Sequence, residues 1–304
     1  MRRLFALLGD PVAHSRSPAI HARAFALLGE DAVYAPCQVP PAELKAAFDG
    51  LRTLGAAGWN VTVPHKIAAA GLCDKLSDGA LRAGAVNCVV REGSRLVGYN
   101  TDGPGVLRAL RQAGLMVEGG RAVVLGAGGS ASAVALSLAE RSGQITVLNR
   151  TGQKARALSL VLQAAGARSA GFALSDEPAQ AALAEADLVI HCSTVGMGED
   201  RMLIDPVVLS PSCALVDLVY AGAPGSKPGE TALLQTARAR GLRCVDGLDV
   251  LVHQAIASLE IWLRRVELES LAARLRDAAI DATSGELAPP AGASDEHAAL
   301  PHRG

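Results

Sequence analysis

Two residues of opposite charge, Lys66 and Asp102, have the chemistry for proton transfer. Lys66 ends the run NVTVPHK, and Asp102 lies within the run NTDG. A positioned ammonium group can donate a proton while a carboxylate orients it or shares in the relay, as general acid–base catalysis requires. Each residue also has a structural interpretation, since Asp is a preferred helix N-cap and Lys66 can be an ordinary surface charge. The residues around Lys66 and Asp102 therefore have to indicate whether the two have a catalytic or a structural role.

Two further polar motifs lie in the same part of the chain. They are HSRSP, which begins at His14, and GAVN, which ends at Asn87. All four motifs come at or just past the C-terminal end of an apolar strand, which is the edge where open α/β sheets bind ligands. Several hydroxyl and amide groups beside a lysine and a carboxylate suit a small polyhydroxylated ligand. Together the motifs favour a shared site over separate structural roles.

A glycine-rich turn, GAGGSA, occupies residues 126–131. It fits the pattern G-x-G-x-x-[G/A] directly after a predicted strand and at the start of a predicted helix. The first glycine permits a tight turn, Gly128 lets the backbone approach a pyrophosphate, and Ala131 lets helix and strand pack closely. The helix N-terminus then faces the negative charge. The turn predicts a dinucleotide site, although such turns also occur in purely structural connections.

The end of the next predicted strand indicates which nicotinamide cofactor fits. NAD sites usually carry Asp or Glu there, about 20 residues beyond the glycines, to hold the ribose 2′-hydroxyl. This chain has Asn149 instead, followed by Arg150, Thr151 and, a turn later, Lys154. An acidic side chain would repel a 2′-phosphate, whereas Arg150 can bind it through charge-assisted hydrogen bonds. The charges therefore favour NADP over NAD.

The elements that must position these residues alternate between strand and helix. Apolar runs predict strands at residues 4–9, 33–39, 58–63, 85–90, 95–99, 121–125, 144–148, 187–192, 214–219 and 242–245. Helical spacing predicts helices at residues 18–28, 41–54, 102–113, 130–141 and 250–275, the first with Ser17 as its N-cap. Alternation of this kind predicts an α/β fold with a parallel, doubly wound sheet.

Length and composition narrow the class of protein. A chain of 304 residues suggests two domains. With 29 basic and 30 acidic residues and no run of like charge, nothing predicts binding to nucleic acid or to a membrane surface. No stretch reaches the roughly 18 consecutive apolar residues of a membrane-spanning helix.

The six cysteines are widely scattered, with no C-x-x-C pair and no histidine at metal-ligand spacing from any of them. They predict reduced, structural thiols in a cytoplasmic protein and no metal site. The tail, residues 284–304, is rich in Ala, Pro, Gly and Ser, and we predict that it is disordered. The oligomeric state is open, and a homodimer is one option.

The order of these motifs resembles the shikimate dehydrogenase family. The motifs SxSP, NVTVPHK, GAVN, NTDG, GAGG and NRT are followed by DLVY from Asp217 and by DGL from Asp246 with a later Gln254. The resemblance covers about residues 1–275. It implies an α/β substrate domain with a mostly parallel sheet, at residues 1–101 plus about 250–283, and a Rossmann NADP-binding domain at residues 102–249. The active-site cleft would lie between these two domains.

The resemblance also implies roles for individual residues. Lys66 and Asp102 are the implied catalytic pair. The residues implied to bind the substrate are Ser15, Ser17, Thr62, Asn87, Tyr220 and Gln254. Those implied to hold NADP are Gly126, Ala127, Gly128, Gly129, Ser130, Asn149, Arg150, Thr151, Leu218, Gly247 and, more weakly, Asp78. The implied reaction is the reversible, NADPH-dependent reduction of 3-dehydroshikimate to shikimate in chorismate and aromatic amino acid biosynthesis, with a proton delivered as the hydride arrives.

Several positions depart from the family pattern, among them Val250, which stands where the family commonly has Met. His191 stands where the family usually has Asn, Ala221-Gly222 replaces the usual Asn-Pro, and Asp249 stands where Gly is common. We expect His191 to change the shape of the cofactor cleft. We expect a carboxylate at Asp249, near the nicotinamide, to disfavour NADP or to alter substrate choice.

Three alternatives to an NADP-dependent shikimate dehydrogenase stay open. A quinate/shikimate dehydrogenase would also accept quinate and use NAD, but relatives that favour quinate often change one serine of the pair that includes Ser17. An aminoshikimate dehydrogenase would be a paralogue from a secondary pathway. A non-catalytic NADP-binding regulatory protein would have no need for both Lys66 and Asp102.

Overall fold

The chain folds around two separate β-sheets of six strands each. The computed structural model describes residues 2–115, 118–220 and 225–282. The predicted disordered tail and the Ala221-Gly222 departure lie outside these residues. Apolar clusters between the helices and both sheets form the core, which confirms the predicted α/β fold.

The first sheet uses strands from the first hundred residues: β1 (Arg3–Gly9), β2 (Ala32–Gln38), β3 (Gly58–Val61), β4 (Lys75–Leu76), β5 (Cys88–Glu92) and β6 (Arg95–Tyr99). Their spatial order is β2-β1-β3-β5-β6-β4. The pairs β2–β1, β1–β3 and β6–β4 are parallel, whereas β3–β5 and β5–β6 are antiparallel. The β5–β6 hairpin turns at Gly93, whose φ of +62° favours glycine. The sheet is mostly parallel, as predicted.

The second sheet is entirely parallel: β7 (Arg121–Leu125), β8 (Gln144–Asn149), β9 (Ser169–Ala173), β10 (Leu188–His191), β11 (Ala214–Asp217) and β12 (Arg243–Val245). Its order is β12-β11-β10-β7-β8-β9. The chain therefore reverses its direction of travel across the sheet between β7 and β10, and such a switch point opens a crevice at the carboxyl ends of the strands. The sequence pattern missed β9, since SAGFA carries little apolar signal.

The helices connect and cover the two sheets: α1 (Ser17–Leu28), α2 (Leu44–Thr53), α3 (Lys66–Ala70), α4 (Asp78–Ala83), α5 (Asp102–Gln112), α6 (Gly129–Ala139), α7 (Gly152–Ala164), α8 (Glu177–Ala184), α9 (Ala232–Ala239), α10 (Gly247–Leu263) and α11 (Ala272–Asp281). Short 3-10 helices lie at Pro41–Glu43, Pro206–Val208 and Leu268–Leu271. The prediction of Ser17 as the N-cap of α1 is wrong. Ser17 is already helical, and the hydroxyl of Ser15 accepts its N–H at 3.2 Å.

The prediction of one helix over residues 250–275 is also wrong. α10 ends at Arg264, which has a left-handed φ of 51°, and Glu267 has a φ of 62°. Neither residue is glycine, so the sequence carried no ordinary stop signal. The break lets α11 fold back and pack against α1.

α10 follows the last strand of the second sheet but packs against the first. Leu248, Ile256 and Leu259 belong to the same buried cluster as Phe5. The Trp262 indole N–H also donates to the carbonyl of Val89 on β5, at 2.9 Å. The first sheet is therefore covered by α10, although this helix comes after the second sheet in the sequence. The limits proposed for the two domains stay predictions.

Within the part of the chain that the structure describes, no helix is long and apolar enough to cross a membrane. The six cysteines are all free thiols. The described residues also contain no group of three or more potential metal ligands.

Candidate active site

Lys66 and Asp102 form a largely buried ion pair beside the first sheet. Lys66 begins α3, which follows β3, and Asp102 begins α5, which follows β6. The Lys66 ammonium donates hydrogen bonds to Asp102 Oδ2 at 2.7 Å and to Ser130 Oγ at 3.0 Å. Only 15% of the Lys66 side chain and 8% of the Asp102 side chain are exposed, so little water screens the pair. Thr101 takes the N-cap position of α5, which leaves the Asp102 carboxylate for the lysine.

Asn87 links this pair to two other parts of the fold. Its amide nitrogen donates to Asp102 Oδ1 at 2.8 Å, to Thr101 Oγ1 at 3.0 Å and to Gln254 Oε1 at 3.3 Å. Its amide oxygen accepts the Thr101 N–H at 2.7 Å. Both oxygens of Asp102 therefore have a donor, one from Asn87 and one from Lys66. Thr101 is a member of this network that the sequence analysis missed, although it stands beside Asp102 in the NTDG motif.

Asn60 extends this hydrogen-bond network to Ser258 and Tyr34. Its amide nitrogen donates to the carbonyl of Asn87 and to Ser258 Oγ, both at 3.0 Å. Its amide oxygen accepts the Tyr34 hydroxyl at 2.9 Å. Burial raises the pKa of Tyr34 well above its usual value, so the phenol stays protonated and can donate this bond. Buried polar groups that are satisfied in this way are rigid.

Ser15, Ser17 and Tyr220 lie at another side of the same region. Burial raises the pKa of the Tyr220 hydroxyl, and the neighbouring Ser15 hydroxyl and Arg16 charge oppose that shift. Ser17 is buried beside Tyr34. Thr62 is half-buried in the segment between β3 and α3, where its backbone N–H bonds to the carbonyl of Leu8.

A cavity of about 430 Å³ lies at the carboxyl ends of β7, β8 and β10. The whole turn from Gly126 to Ser130 lines it, and so do Lys66 and Ile67 of α3. Gly126 has a φ of +118°, and a Cβ there would lie 3.3 Å from the backbone of Cys192. A Cβ at Gly129 would lie 2.9 Å from Cβ of Ala85, so this glycine lets the N-terminus of α6 approach the first sheet. The turn thus brings a helix N-terminus to the cavity beside Lys66.

The charges around this cavity fit a phosphorylated dinucleotide. Asn149, Arg150, Thr151 and Lys154 line the end beside β8, and Arg201 contributes a further guanidinium. Among the described residues, no Asp or Glu lines the cavity. Amide, hydroxyl and cationic groups without a carboxylate are the donor set that a ribose 2′-phosphate requires.

The sequence analysis missed the lining residues that follow β10. These are Ser193, Thr194, Val195, Arg201 and Leu203. Their position just past a strand beside the glycine turn is the signal that would have found them, because the crevice opens there.

Three residues predicted for the cofactor lie outside the lining of this cavity. Leu218 and Gly247 are in contact with each other, since a Cβ on Gly247 would lie 2.7 Å from the Leu218 carbonyl oxygen. Asp78 is exposed at the start of α4. The structure does not bring these three to the glycine turn, and their assignments stay predictions.

Two departures from the family pattern have specific partners. His191 is buried and bonds to Asp217 and Ser193, so Ser193 rather than His191 faces the cavity. Asp249 pairs with Arg276 of α11 at 2.8 Å. Burial and the nearby Asp246 charge raise the pKa of Asp249, while Arg276 lowers it. The carboxylate expected to face the nicotinamide is therefore held in an ion pair with α11 and does not line the cavity.

The fold and the site together define a class of protein. A parallel, doubly wound sheet carries a glycine turn and a cationic cavity at its switch point. A lysine–carboxylate pair beside a hydroxyl- and amide-rich network lies against that cavity. This is the architecture of a two-domain, nicotinamide-dependent dehydrogenase.

Comparison with known proteins identifies the family within this class. A sequence model described as "Shikimate dehydrogenase substrate binding domain" matches residues 7–89, and one described as "Shikimate / quinate 5-dehydrogenase" matches residues 109–197. The shikimate dehydrogenase (NADP(+)) of Symbiobacterium thermophilum is 45% identical over 269 residues, which are 86% of this chain and 90% of that protein. The chain belongs to the shikimate dehydrogenase family.

Solved structures agree with this assignment. Shikimate 5-dehydrogenase from Thermus thermophilus, in complex with NADP(H) and shikimate, matches with a TM-score of 0.80 and 35% identity, over 92% of this chain and 99% of that one. Quinate dehydrogenase from Corynebacterium glutamicum, in complex with NAD, matches with a TM-score of 0.80 and 29% identity, over 92% and 99% of the two chains.

Proposed function

We propose that this chain catalyses the reversible, NADP-linked reduction of 3-dehydroshikimate to shikimate, a step of chorismate and aromatic amino acid biosynthesis. The observation that carries the proposal is the Lys66–Asp102 pair, which lies between a polar network on one side and a cationic cavity on the other. The relatives and the solved structure that carry the shikimate dehydrogenase name support the same substrate.

The substrate is a small ring with hydroxyl groups and a carboxylate, and it needs many hydrogen bonds. We assign this binding to Ser15, Ser17, Thr62, Asn87, Tyr220 and Gln254. Support comes from Asn87, which donates to both Asp102 and Gln254, and from Tyr220, which stays protonated beside Ser15 and can act as a donor.

The cofactor assignment is NADP at the cavity of the second sheet. The backbone of residues 126–130 and the N-terminus of α6 would bind the pyrophosphate. Arg150, assisted by Lys154, would bind the 2′-phosphate, since both line the cavity and no described carboxylate opposes them.

The chemistry divides between cofactor and protein. Bound NADPH supplies the hydride. As negative charge grows on the substrate oxygen, the Lys66 ammonium stabilises it and donates a proton. Asp102 orients the ammonium from 2.7 Å, and Asn87 holds Asp102 from its other oxygen at 2.8 Å. In the oxidative direction the same pair accepts the proton.

One steady-state comparison tests the proposed function. Purified protein is assayed for oxidation of shikimate and of quinate, each with NADP and with NAD. We expect shikimate with NADP to give the highest kcat/KM. Absence of turnover with all four pairs would contradict the enzyme assignment.

A second candidate is a quinate/shikimate dehydrogenase, because the quinate dehydrogenase structure matches over nearly the whole chain. The cavity favours the NADP-linked shikimate dehydrogenase, since NAD has no 2′-phosphate for Arg150 to bind. Higher kcat/KM with quinate and NAD in the same assay would reverse this order. Adding aminoshikimate to that assay as a third substrate tests the aminoshikimate dehydrogenase alternative. A non-catalytic NADP-binding protein would bind NADPH but would oxidise none of shikimate, quinate and aminoshikimate.

We further propose a cytoplasmic location and a homodimer. The six free thiols support a reducing compartment. Light scattering on purified protein tests the homodimer.

A further inference from the structure

His191 links a buried carboxylate to a hydroxyl in the cofactor cavity. Its Nδ1 lies 2.9 Å from Asp217 Oδ1, and its Nε2 lies 2.6 Å from Ser193 Oγ. The side chains of His191 and Asp217 are each 1% exposed, whereas Ser193 lines the cavity. A chain of hydrogen bonds therefore runs from the buried carboxylate through the imidazole to the hydroxyl that lines the cavity.

The hydrogen bonds around Asp217 locate the proton that lies between this carboxylate and His191. Asp217 Oδ1 also accepts the Val219 N–H at 3.0 Å, and its Oδ2 accepts the Thr231 hydroxyl at 2.7 Å. An ionised carboxylate only accepts, so the proton between it and the imidazole lies on Nδ1 of His191. With His191 taken as the neutral ring, Nε2 is then an acceptor.

For the neutral ring, the hydroxyl of Ser193 is the donor of its bond to His191. Its proton is directed to Nε2 of His191, and its oxygen accepts the Val195 N–H at 3.3 Å. A hydroxyl has one proton and two acceptor positions. Ser193 is thus left with one free lone pair and no free proton, and it presents an acceptor to the cavity.

The position of Ser193, just after β10, indicates which half of the dinucleotide would lie beside it. The strand order β8-β7-β10 puts the end of β10 on the opposite side of the glycine turn from Arg150, about 10 Å away for two strand spacings. Cys192, the neighbour of Ser193, lies close enough to the catalytic pair that the charges of Asp102 and Lys66 act on its thiol, whose pKa burial raises. Ser193 is therefore on the side of the proton-transfer pair, where the nicotinamide half must lie.

We propose that Ser193 binds the nicotinamide half of the cofactor by accepting a hydrogen bond from it, and that His191 and Asp217 are positioning residues that act through Ser193. The donor on the cofactor is a ribose hydroxyl or the carboxamide N–H. A phosphate oxygen is disfavoured there because it would meet a lone pair. This inference rests on the proposed function, since it requires a nicotinamide dinucleotide in this cavity.

A double-mutant cycle on NADPH binding, measured by cofactor fluorescence without substrate, tests this proposal. Ser193→Ala removes the acceptor, and we expect Kd to rise about 3- to 10-fold, as for the loss of one hydrogen bond. His191→Asn keeps a donor for Asp217 but withdraws the acceptor from Ser193, and we expect a rise of about 2- to 5-fold. In the double variant the Kd should match that of Ser193→Ala, because His191 acts only through the hydroxyl.

Three further measurements sharpen the test. Ser193→Thr keeps the hydroxyl and should bind NADPH more tightly than Ser193→Ala. Ser210→Ala is the matched control, because the Ser210 hydroxyl bonds to Ser212 outside the cavity lining, and its Kd should equal that of the wild type. An analogue with an acetyl group in place of the carboxamide separates the two donors. The Ser193→Ala effect disappears with this analogue if the carboxamide is the donor and persists if a ribose hydroxyl is.

The possible failures are distinguishable. If the wild type binds NADPH and turns over shikimate while Ser193→Ala binds NADPH equally well, the proposal is overturned and the function stands. Additive losses in the cycle would overturn the positioning role of His191. A wild type that binds no NADPH would overturn both. If thermal unfolding shows that His191→Asn is misfolded, the two Ser193 variants and the analogue still decide the role of Ser193.

Discussion

The Lys66 ammonium nitrogen lies 3.0 Å from the hydroxyl oxygen of Ser130, so this lysine is bonded directly to the glycine turn. Lys66 belongs to α3 beside the first sheet, and Ser130 belongs to α6 on the second. The contact crosses the cleft between the sheets and lies beside Asp102, the other acceptor of the same ammonium. The orientation of the Lys66 ammonium therefore depends on residues beside both sheets.

Ser130→Ala tests this contact. Removing one of the two acceptors of Lys66 should lower kcat by about 3- to 10-fold, in line with one hydrogen bond to a charged group. Measuring kcat separately from the Kd for NADPH separates the effect on Lys66 from cofactor binding. Ser132→Ala is the control, since the Ser132 hydroxyl bonds to the Ala83 carbonyl and does not line the cavity. A change in Kd alone would show that Ser130 serves only the cofactor.

Lys66→Ala removes the proposed proton donor. We expect kcat to fall by on the order of 100-fold or more, because the growing charge on the substrate oxygen loses its acid. Lys45→Ala, at an exposed ion pair with Asp49, should leave turnover unchanged. If the Lys66 variant instead raised KM and left kcat near the wild-type value, the residue would bind substrate without transferring a proton.

Arg150→Ala should weaken NADPH binding about 10- to 100-fold and leave NADH binding nearly unchanged, since only NADPH has the 2′-phosphate that a charge-assisted bond would hold. Fluorescence titration with each cofactor measures both constants. Arg95→Ala, which alters an exposed arginine of the β5–β6 hairpin, is the control. Equal losses for the two cofactors would refute the assignment of Arg150 to the 2′-phosphate.

His21 predicts a pH dependence of stability. It is fully buried, and burial lowers its pKa to about 3, with Asn60 opposing the shift in part. Among the described residues, neither ring nitrogen has a hydrogen-bond partner of normal geometry. The unfolded chain gains a proton on this ring below about pH 6.5 while the folded chain does not, so stability is fully present above 6.5 and falls as pH decreases toward 3.

Urea unfolding between pH 7 and pH 4.5 measures this loss. Below pH 6, His21 should lower the free energy of unfolding by about 1.4 kcal/mol for each unit that the pH falls. His21→Phe should remove this contribution. His14→Asn, at an exposed histidine, should keep the wild-type slope. An unchanged slope in His21→Phe would assign the pH dependence to other groups.

Much of the fold could be predicted from periodicity. The strand at residues 121–125 is β7, and those at 144–148 and 242–245 differ from β8 and β12 by a single residue. Apolar runs of this length are a local signal, and the parallel sheet follows from their alternation with helices. The errors arose where residue type gave no signal: Arg264 and Glu267 adopt left-handed backbone at a helix end without glycine, and Ser17 is already helical, with its N–H bonded to Ser15.

The amino-acid sequence by itself determined which groups are available for chemistry. It contains one lysine and one carboxylate in polar motifs, a glycine turn after a strand, and Arg150 where an acid would select NAD. These inferences could be made because each depends on residue type and on short spacing. The family resemblance, confirmed by the comparisons, rests on the same motifs.

Only the tertiary structure decided which groups meet. Lys66 bonds to Asp102 and Ser130, 36 and 64 positions away, and Asn87 reaches Gln254 across 167 positions. The His191–Ser193 bond is local, but its meaning depends on Asp217, which a parallel register places beside His191. Partners across such separations are set by how sheets and helices pack, and no local pattern encodes that packing. The lysine and the carboxylate could be recognised in the sequence, whereas their ion pair and the bond from the lysine to the glycine turn exist only in the folded chain.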